Sequence, residues 1–429
     1  MRRSAPPSAR DLMATDEFEP ATYAEVLEDP DNVELSFRLA RTQVRNGDLH
    51  GAASTLERIL LVDPNLTPVR LFYAVVLFRL EDLDESQREF QTVAAQDIPA
   101  DVRAGVEAYL TRIDYLRRKT RYTASLSLGA HYDTNRNATP RSDSVLFIDI
   151  PIELEEGDED DFGYLGIASL RVDHDLGYQE RHELFGSLTY YQDEQVQQDS
   201  LDLQSFTLEA GGIYREGPWG ISVIPTAFAT HLQLSRETYF RDLGLDLRFE
   251  RDFGRRLTAF AGVRLSYQNF DGIRENQSAA LRDGRQIEGL IGASYVISPT
   301  MRVTGDYLRL DKNAKADFFA YDRDQFRLSH VWLLGEEQFL LTSATYQRDR
   351  YDVADGFVSS RTRHDDTIRV RLTYGAPLGF LVGEGRIWEP LEDIVFSGSA
   401  EYLRSHSNLP NFDYENWRGQ VLMTKTWRF

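Results

Sequence analysis

Two hydrophobic periods divide this chain of 429 residues. Up to about residue 118, apolar residues return every three or four positions, which is the spacing of amphipathic helices. From about residue 121 to the end they return at every second position, which is the spacing of strands with one apolar and one polar face. The pattern predicts a helical domain over residues 21–118 and a strand domain over residues 121–429.

The helical part repeats itself with a period of 34 residues, as a comparison of residues 29–64 with residues 63–99 shows. A 34-residue period of two helices is typical of tetratricopeptide repeats. Small residues let the paired helices approach closely, and proline ends the second helix of each unit. The equivalent positions are Pro30 and Pro64, Ala40 and Ala74, Ala52 and Ser86, and Leu56 and Phe90.

A further helix is predicted at 101–118, with Asp101 as its N-cap and one apolar stripe that includes Val106, Tyr109 and Ile113. Two to three repeats would form a short solenoid, and the concave face of such a solenoid usually holds a peptide or another protein. A structural spacer without a ligand is the alternative interpretation.

The strand domain alternates apolar and polar residues without a lapse over several segments. In "IRVRLTY", Ile368, Val370 and Leu372 alternate with Arg369 and Arg371. An arginine row would be very unfavourable in the core of a two-sheet sandwich. On the water-filled inner wall of a membrane barrel it is normal. The pattern therefore favours a transmembrane β-barrel over a sandwich.

Fourteen strands are predicted, joined alternately by short turns and long polar loops, as in outer-membrane barrels. An even number would leave both chain ends of the barrel, and the helical repeats, in the periplasm. Residues 144–154 are assigned to the first extracellular loop, and residues 377–390 are long for a periplasmic turn. The predicted strands lie near 121–133, 162–175, 182–194, 200–215, 219–233, 237–252, 256–269, 285–297, 300–312, 321–334, 338–350, 363–376, 391–405 and 416–429.

Composition agrees with a barrel. No run approaches the 18 apolar residues of a spanning helix, whereas a spanning strand needs only about 9–11 residues. Aromatic residues, at 12%, fit the girdles of a barrel, and the net charge of −21 argues against nucleic acid as a partner. Cysteine is absent, which excludes disulfides and thiolate chemistry. Residues 1–20 lack the apolar core of a secretory signal, and we expect them to be disordered.

The chain ends in "VLMTKTWRF", with Trp427 and Phe429 on the predicted lipid face. A terminal Phe with an aromatic two residues earlier resembles the signal that presents outer-membrane proteins to the barrel assembly machinery. Lys425 lies on the same face, and we expect it to snorkel to the interface.

The first strand runs into "YDTNRNATP", residues 132–140. Helical repeats, a first strand and this segment together resemble the surface lipoprotein assembly modifier (Slam) family, the translocators of type XI secretion. The family has a periplasmic tetratricopeptide domain, a fourteen-stranded outer-membrane barrel, and a segment like Tyr-Asp-Ser-Asn-x-Asn-x-x-Pro after the first strand. Thr134 replaces the serine, and the matching residues are Tyr132, Asp133, Asn135, Asn137 and Pro140.

The side chains of this segment predict an ordered lip at the top of the first strand, beside the seam with the last strand. Asp and Asn side chains form turns by bonding nearby amides, and proline fixes the exit. Contact with a passing substrate and cation binding remain alternative roles.

Three function classes follow from these patterns. The resemblance implies a Gram-negative outer-membrane translocator whose client is a surface lipoprotein or a secreted haem- or metal-scavenging protein, with a periplasmic chaperone as a further candidate partner. A polysaccharide exporter is the second class. A barrel enzyme using His364 and Asp365 is the third, but we expect no enzyme, no cofactor and no metal, and "GDEDDFG" (157–163) is interpreted as a solvated acidic loop.

Overall fold

The computed structural model describes residues 19–429, apart from 30–31, 155–156, 179–181, 275, 336, 384–390 and 392. Three predictions therefore fall wholly or partly outside the described residues. They concern most of the predicted disordered segment, Pro30, and about half of the 377–390 connection. The chain divides into two compact units, Met1–Arg118 and Lys119–Phe429. Within the described ranges, no helix is long and apolar enough to cross a membrane.

The first unit consists of short helices with side-chain caps at several of their beginnings. Asn32, Asp48 and Asp82 each accept a backbone amide from the first turn of the helix that follows. Pro99 precedes the last helix without a side-chain cap, so the predicted N-cap role of Asp101 is wrong, because the helix begins one residue earlier at Ala100. The helices are α1 Tyr23–Glu28, α2 Val33–Asn46, α3 Leu49–Val62, α4 Thr67–Arg79, α5 Leu83–Ala94 and α6 Ala100–Arg117.

Two successive cores hold the helices together. Ala40, Ala52 and Leu56 are fully buried in the first core, against Phe72 and Val76 on α4. Their repeat equivalents Ala74 and Phe90 are fully buried in the second core, against Tyr109 and Ile113 on α6. Ser86, the equivalent of Ala52, is also fully buried, and its Oγ donates to the Ala74 carbonyl at 2.9 Å. Pro64 is exposed just after α3. The tetratricopeptide assignment stays a prediction.

The second unit is a closed antiparallel barrel of fourteen strands, as predicted. Neighbours in sequence pair throughout, and the first strand closes the barrel against the last. The barrel strands are β1 Thr120–Asp133, β4 Asp161–Asp175, β5 Glu183–Gln195, β6 Leu203–Gly217, β7 Ile221–Leu234, β8 Glu237–Phe253, β9 Leu257–Phe270, β10 Gly284–Ser298, β11 Met301–Lys312, β12 Tyr321–Gly335, β13 Gln338–Tyr351, β14 His364–Pro377, β15 Val395–Ser407 and β16 Tyr414–Arg428.

The two ends of the barrel differ in the length of the connections between strands. At the loop end, where β1 stops, most connections are long, although Ser235 and Arg236 alone join β7 to β8. The first connection at this end contains a hairpin of β2 (Ser144–Phe147) and β3 (Ile150–Glu153). Segment 144–154 therefore stays out of the barrel, as predicted, but forms strands of its own. At the turn end, connections are short except the one that contains α7 (Leu378–Val382). Lys425 pairs there with Asp393.

The outer wall is apolar and exposed. Leu243 and Ile291 on this wall are 69% and 61% exposed. Aromatic side chains flank the apolar band on both sides, in the arrangement by which barrels meet the two membrane interfaces. Near the loop end these are Tyr132, Tyr164, Phe206, Tyr267, Phe326 and Trp417, and near the turn end Tyr122, Tyr214, Tyr295, Tyr374 and Trp427. The unit is therefore a transmembrane β-barrel.

The inner wall is polar and carries ion pairs. Arg371 Nε lies 2.8 Å from a carboxylate oxygen of Glu401, and Arg323 Nε lies 2.7 Å from one of Asp349. The guanidinium of Arg264 stacks 3.7 Å from the ring centroid of Phe228. Carboxylates and aromatic rings thus accommodate the arginines that the sequence assigns to the interior.

Candidate functional site at the barrel seam

The seam between β1 and β16 is paired along its whole length. Backbone register runs from Thr123 opposite Arg428 to Asp133 opposite Arg418. Tyr122 and Phe429 extend it, since each donates its amide to the carbonyl of the other, at 3.2 and 2.9 Å. Trp427 lies on the outer wall opposite Ala124. The role of Trp427 and Phe429 as an assembly signal stays a prediction.

A buried polar cluster lies at the loop end of the seam, on the inner wall. The side chain of His131 is fully buried, with Nδ1 2.8 Å from Asp133 Oδ2 and Nε2 2.6 Å from Asp193 Oδ1. Asp133 belongs to β1, but Asp193 belongs to β5, two strands away. The imidazole therefore bridges β1 to β5.

The intervening strand, β4, has no side chain at the position where the imidazole crosses it. Gly163 on β4 pairs with His131 on β1 and with Gln195 on β5. A Cβ at position 163 would lie 2.4 Å from His131 Nε2, which is closer than non-bonded contacts of Cβ atoms come in folded proteins. Glycine at this position is thus required for the bridge.

The last strand joins the same cluster. Asn416 Nδ2 donates to Asp133 Oδ1 at 2.7 Å, and the guanidinium of Arg418 lies 3.7 Å from Asp133 and 3.5 Å from Asp193. Arg136, beyond β1, lies 3.6 Å from Asp193. Buried charged and polar groups therefore link three strands, β16, β1 and β5, across the closure of the barrel and over β4.

The predicted rim motif, residues 132–140, extends this hydrogen-bond network from the seam into the first loop. Asn135 is buried, and its amide group donates to the carbonyls of Thr139 and Glu415 while its backbone N–H donates to Asn416 Oδ1. Asn137 Oδ1 accepts hydrogen bonds from the backbone N–H groups of Thr139 and Glu159. Pro140 is half-buried at the exit. Asp133 and Asn135 thus tie the end of β1 and the first loop to β16, whereas the hydrogen bonds of Asn137 stay within the first loop.

Tyr132 is the exception within the motif. It faces the outer wall, and its hydroxyl donates to Asp160 Oδ2 at 2.6 Å. The segment therefore places its polar members on the inner and rim side, and its aromatic member at the membrane interface.

The β2–β3 hairpin is held over the loop end by polar clamps. Ser359 Oγ and the amide of Ser360 donate to Asp149, and these hydrogen bonds hold the pKa of that carboxyl below its ordinary value. Asn411 both donates to and accepts from the backbone of Leu146, at 2.9 Å each. The clamps keep the exposed apolar side chains of Phe147 and Ile150 on an ordered surface.

The helical unit carries several carboxylates near Tyr73, which we call the acidic patch. Burial, together with Glu57, Glu85, Glu89 and Asp82, raises the pKa of Tyr73 to about 12. The phenol therefore stays neutral at physiological pH, beside carboxylates that would favour a cationic segment.

A cavity of 690 Å³ opens on the inner wall along β8–β12. Its lining mixes both signs of charge on neighbouring strands. Carboxylates come from Asp246, Glu250, Asp252, Glu288 and Asp306, and guanidinium groups from Arg248, Arg264, Arg302 and Arg327. The lumen can thus solvate polar and charged chain segments.

Other candidate chemistry is not assembled. His364 is exposed, whereas the adjacent Asp365 is buried and bound by Arg363 at 2.7 Å, so the two do not act as a pair. Asp161 is buried and accepts the amides of Gln197 and Gln198, so the prediction of a wholly solvated acidic loop is wrong for this residue. Among the described residues, no group of His, Asp and Glu side chains is arranged to hold a metal ion.

Sequence reasoning missed His131, Asp193, Asn416 and Arg418. His131 and Asp133 share the inner face in the sequence pattern, so their proximity could have been inferred. Their partners lie on strands far along the chain, and only the register between strands brings these together.

Comparisons with known proteins give only distant likenesses. No known protein family matches the chain, and no curated protein matches it. Among solved structures, Pseudomonas aeruginosa OpdQ is 8% identical with a TM-score of 0.36, over 73% of this chain and 100% of that one. The outer-membrane protein OpdK of the same species is 11% identical with a TM-score of 0.34, over 72% and 99% of the two chains. OpdO is 13% identical with a TM-score of 0.35, over 72% and 98%.

These likenesses are too distant to carry an argument about function. The location follows from the barrel itself, because a closed antiparallel barrel with an apolar outer wall and two aromatic girdles belongs to the outer membrane of bacteria.

Proposed function

We propose that this protein moves a client protein across the outer membrane to the cell surface. The helical unit, in the periplasm, would dock the client, and the barrel would provide the passage. The proposal rests on one observation: a single chain joins helices of 34-residue repeat spacing to a closed barrel whose lumen is lined with charge.

The acidic patch around Tyr73 supports docking of a cationic or unfolded client segment. Glu57 is exposed beside the phenol, so its charge is available to a ligand, whereas Glu85 is half-exposed and pairs with Arg88. No nucleotide is present in the periplasm, and folding or capture of the client outside would supply the driving force. A surface lipoprotein or a secreted scavenging protein, the clients of the Slam family, is our first candidate.

The lumen is the proposed route. Opening the seam instead would expose Asp133, Asp193 and His131, which are buried in the closed barrel. Separating buried charged groups from their partners is strongly unfavourable. Solvated ion pairs along β8–β12 offer a polar path that needs no such separation.

Surface labelling of intact cells tests the proposal. The gene is deleted in the source bacterium, exposed proteins are biotinylated with a membrane-impermeant reagent, and labelled and total proteins are quantified by mass spectrometry. We expect one or a few proteins to lose surface label while their total amounts persist. The wild-type chain should restore the label, and Glu57→Lys with Glu85→Lys should assemble but fail to restore it.

Loss of a secreted polymer with an unchanged set of surface proteins would overturn the proposal and favour polysaccharide export. Assembly of each variant is checked by the heat-dependent shift in gel mobility of folded barrels, so that failed folding is not taken for failed docking.

A further inference from the structure

The outer wall of β9–β13 has a row of small side chains near its middle. Strand register places Ala259, Ala293, Gly305, Leu328 and Ala344 side by side on these five strands. We call this the small row. Because four of its five members lack bulk, the wall is depressed there, and an apolar groove of 900 Å³ lies on the lipid-facing surface.

The next row toward the loop end is bulky. Register aligns Tyr307, Phe326 and Tyr346 on β11–β13, which we call the aromatic row. The rings border the groove on its loop side. Aromatic rings at this level mark the interface between lipid tails and headgroups, so the groove lies at the depth of acyl chains.

The next row toward the loop end is charged and consists of Arg309, Asp324, Arg348 and Asp366. Arg350 lies two residues beyond Arg348 on β13, on the same face and closer to the loop end. A second depression of 320 Å³ is lined by the aromatic row together with Asp324, Arg348 and Arg350. All three rings therefore line both depressions. The apolar groove and the charged pocket are thus continuous.

The two arginines of the pocket keep unused donors. Arg348 donates Nε to Asp366 at 2.7 Å and Nη2 to the Tyr346 hydroxyl at 2.8 Å. Arg350 has one ion pair among the described residues, with Nη1 3.5 Å from Asp324 Oδ2. Each guanidinium has five N–H groups, so both can still donate to a further anion.

We propose that this part of the outer wall binds a phosphorylated lipid, with an acyl chain in the groove and the phosphate on Arg348 and Arg350. Arginine binds phosphate through parallel N–H donors. The carboxylates of Asp324 and Asp366 hold the guanidinium groups in place at the pocket. The inference requires only that the barrel spans the membrane, and it is independent of what the barrel transports.

Native mass spectrometry of the full chain tests the site. The protein is released from detergent after incubation with equimolar dioleoylphosphatidic acid and dioleoylphosphatidylcholine. We expect the phosphatidic acid adduct to exceed the phosphatidylcholine adduct at least tenfold. Arg348→Gln with Arg350→Gln should remove this preference, and Ala344→Phe, which fills the groove, should reduce adducts of both lipids at least tenfold.

Matched variants on the outer wall control for general effects. Arg285→Gln on β10 and Ala210→Phe on β6 lie outside both depressions and should bind like wild type. Equal binding of the two lipids by wild type would overturn the proposal. So would wild-type preference in the double arginine variant, or displacement of the lipid by inorganic phosphate at millimolar concentration, since a free ion does not use the groove.

Discussion

His131 Nε2 lies 2.6 Å from Asp193 Oδ1, although a whole strand separates β1 from β5. The imidazole crosses the intervening strand above Gly163. Asn416 and Arg418 bring the last strand into the same cluster. The loop end of the seam is therefore fixed by buried side chains in addition to the backbone ladder.

Replacing His131 with Ala should destabilise the barrel. The change leaves Asp133 and Asp193 buried without the imidazole that bridges them, and breaking a buried charge pair costs about 3–5 kcal/mol. Urea unfolding of the full chain in detergent, followed by tryptophan fluorescence, measures the loss. His364→Gln, at an exposed position, should change the unfolding free energy by no more than about 0.5 kcal/mol. Equal stability of the two variants would contradict the role of the bridge.

Gly163→Ala should lower stability by about 1–3 kcal/mol, the range for overpacking a filled site. The new Cβ would occupy the path of the His131 ring. Gly289→Ala is the matched control, because a Cβ on that β10 glycine meets no atom within 4 Å. The same urea measurement compares them, and equal midpoints would show that the ring has another way across β4.

The alternation of apolar and polar residues was sufficient to predict all fourteen barrel strands, because one wall meets lipid and the other water over the whole length. Val370 and Arg371 illustrate the rule, since the first lies on the outer wall and the second pairs with Glu401 inside. The seam cluster was not predictable in this way. Asp133 and Asn416 are 283 positions apart, and no local pattern encodes their contact.

The structure of the rim motif was predictable in part. Asn135 and Asn137 were predicted to form turns, and both bond nearby backbone, but Asn135 also contacts Glu415 on the last strand. The β2–β3 hairpin needed partners from two other loops, Ser359 and Asn411, which the sequence does not place together.

Asp149→Asn should loosen the hairpin. Hydrogen bonds that favour the carboxylate hold the pKa of Asp149 below its ordinary value of about 3.9. The clamp therefore contributes fully above that ordinary value and is lost as pH falls through the lowered pKa. Hydrogen-exchange protection factors of residues 144–153, which correct for the intrinsic pH dependence of amide exchange, should thus be equal at pH 7 and 5 in wild type and lower in the variant at both. Identical exchange in the two proteins would remove Asp149 as the anchor.

A disulfide across the seam should leave transport intact. Ser127 Oγ and Thr424 Oγ1 are 2.8 Å apart across β1 and β16, and the chain has no cysteine of its own. Ser127→Cys with Thr424→Cys should therefore crosslink cleanly, and surface labelling of the client should persist if the lumen is the route, as proposed.

Ser125→Cys with Ser169→Cys is the matched crosslink, across β1 and β4, where the two hydroxyl oxygens are 2.7 Å apart. If the seam crosslink alone stopped client display, the client would have to pass through an opening between β1 and β16.

The most direct test of the whole account is the membrane seating of one strand. Leu372 and Thr373 are neighbours on β14, on the outer and inner wall respectively. Each is replaced by cysteine, labelled with a nitroxide and reconstituted in a bilayer for measurement of relaxation by oxygen and by a water-soluble nickel complex. The account predicts that oxygen, which concentrates in lipid, relaxes the label at 372, and that nickel relaxes the label at 373. Equal relaxation of both labels by nickel, or exclusion of both reagents from both sites, would contradict a lipid-facing wall around a watery lumen.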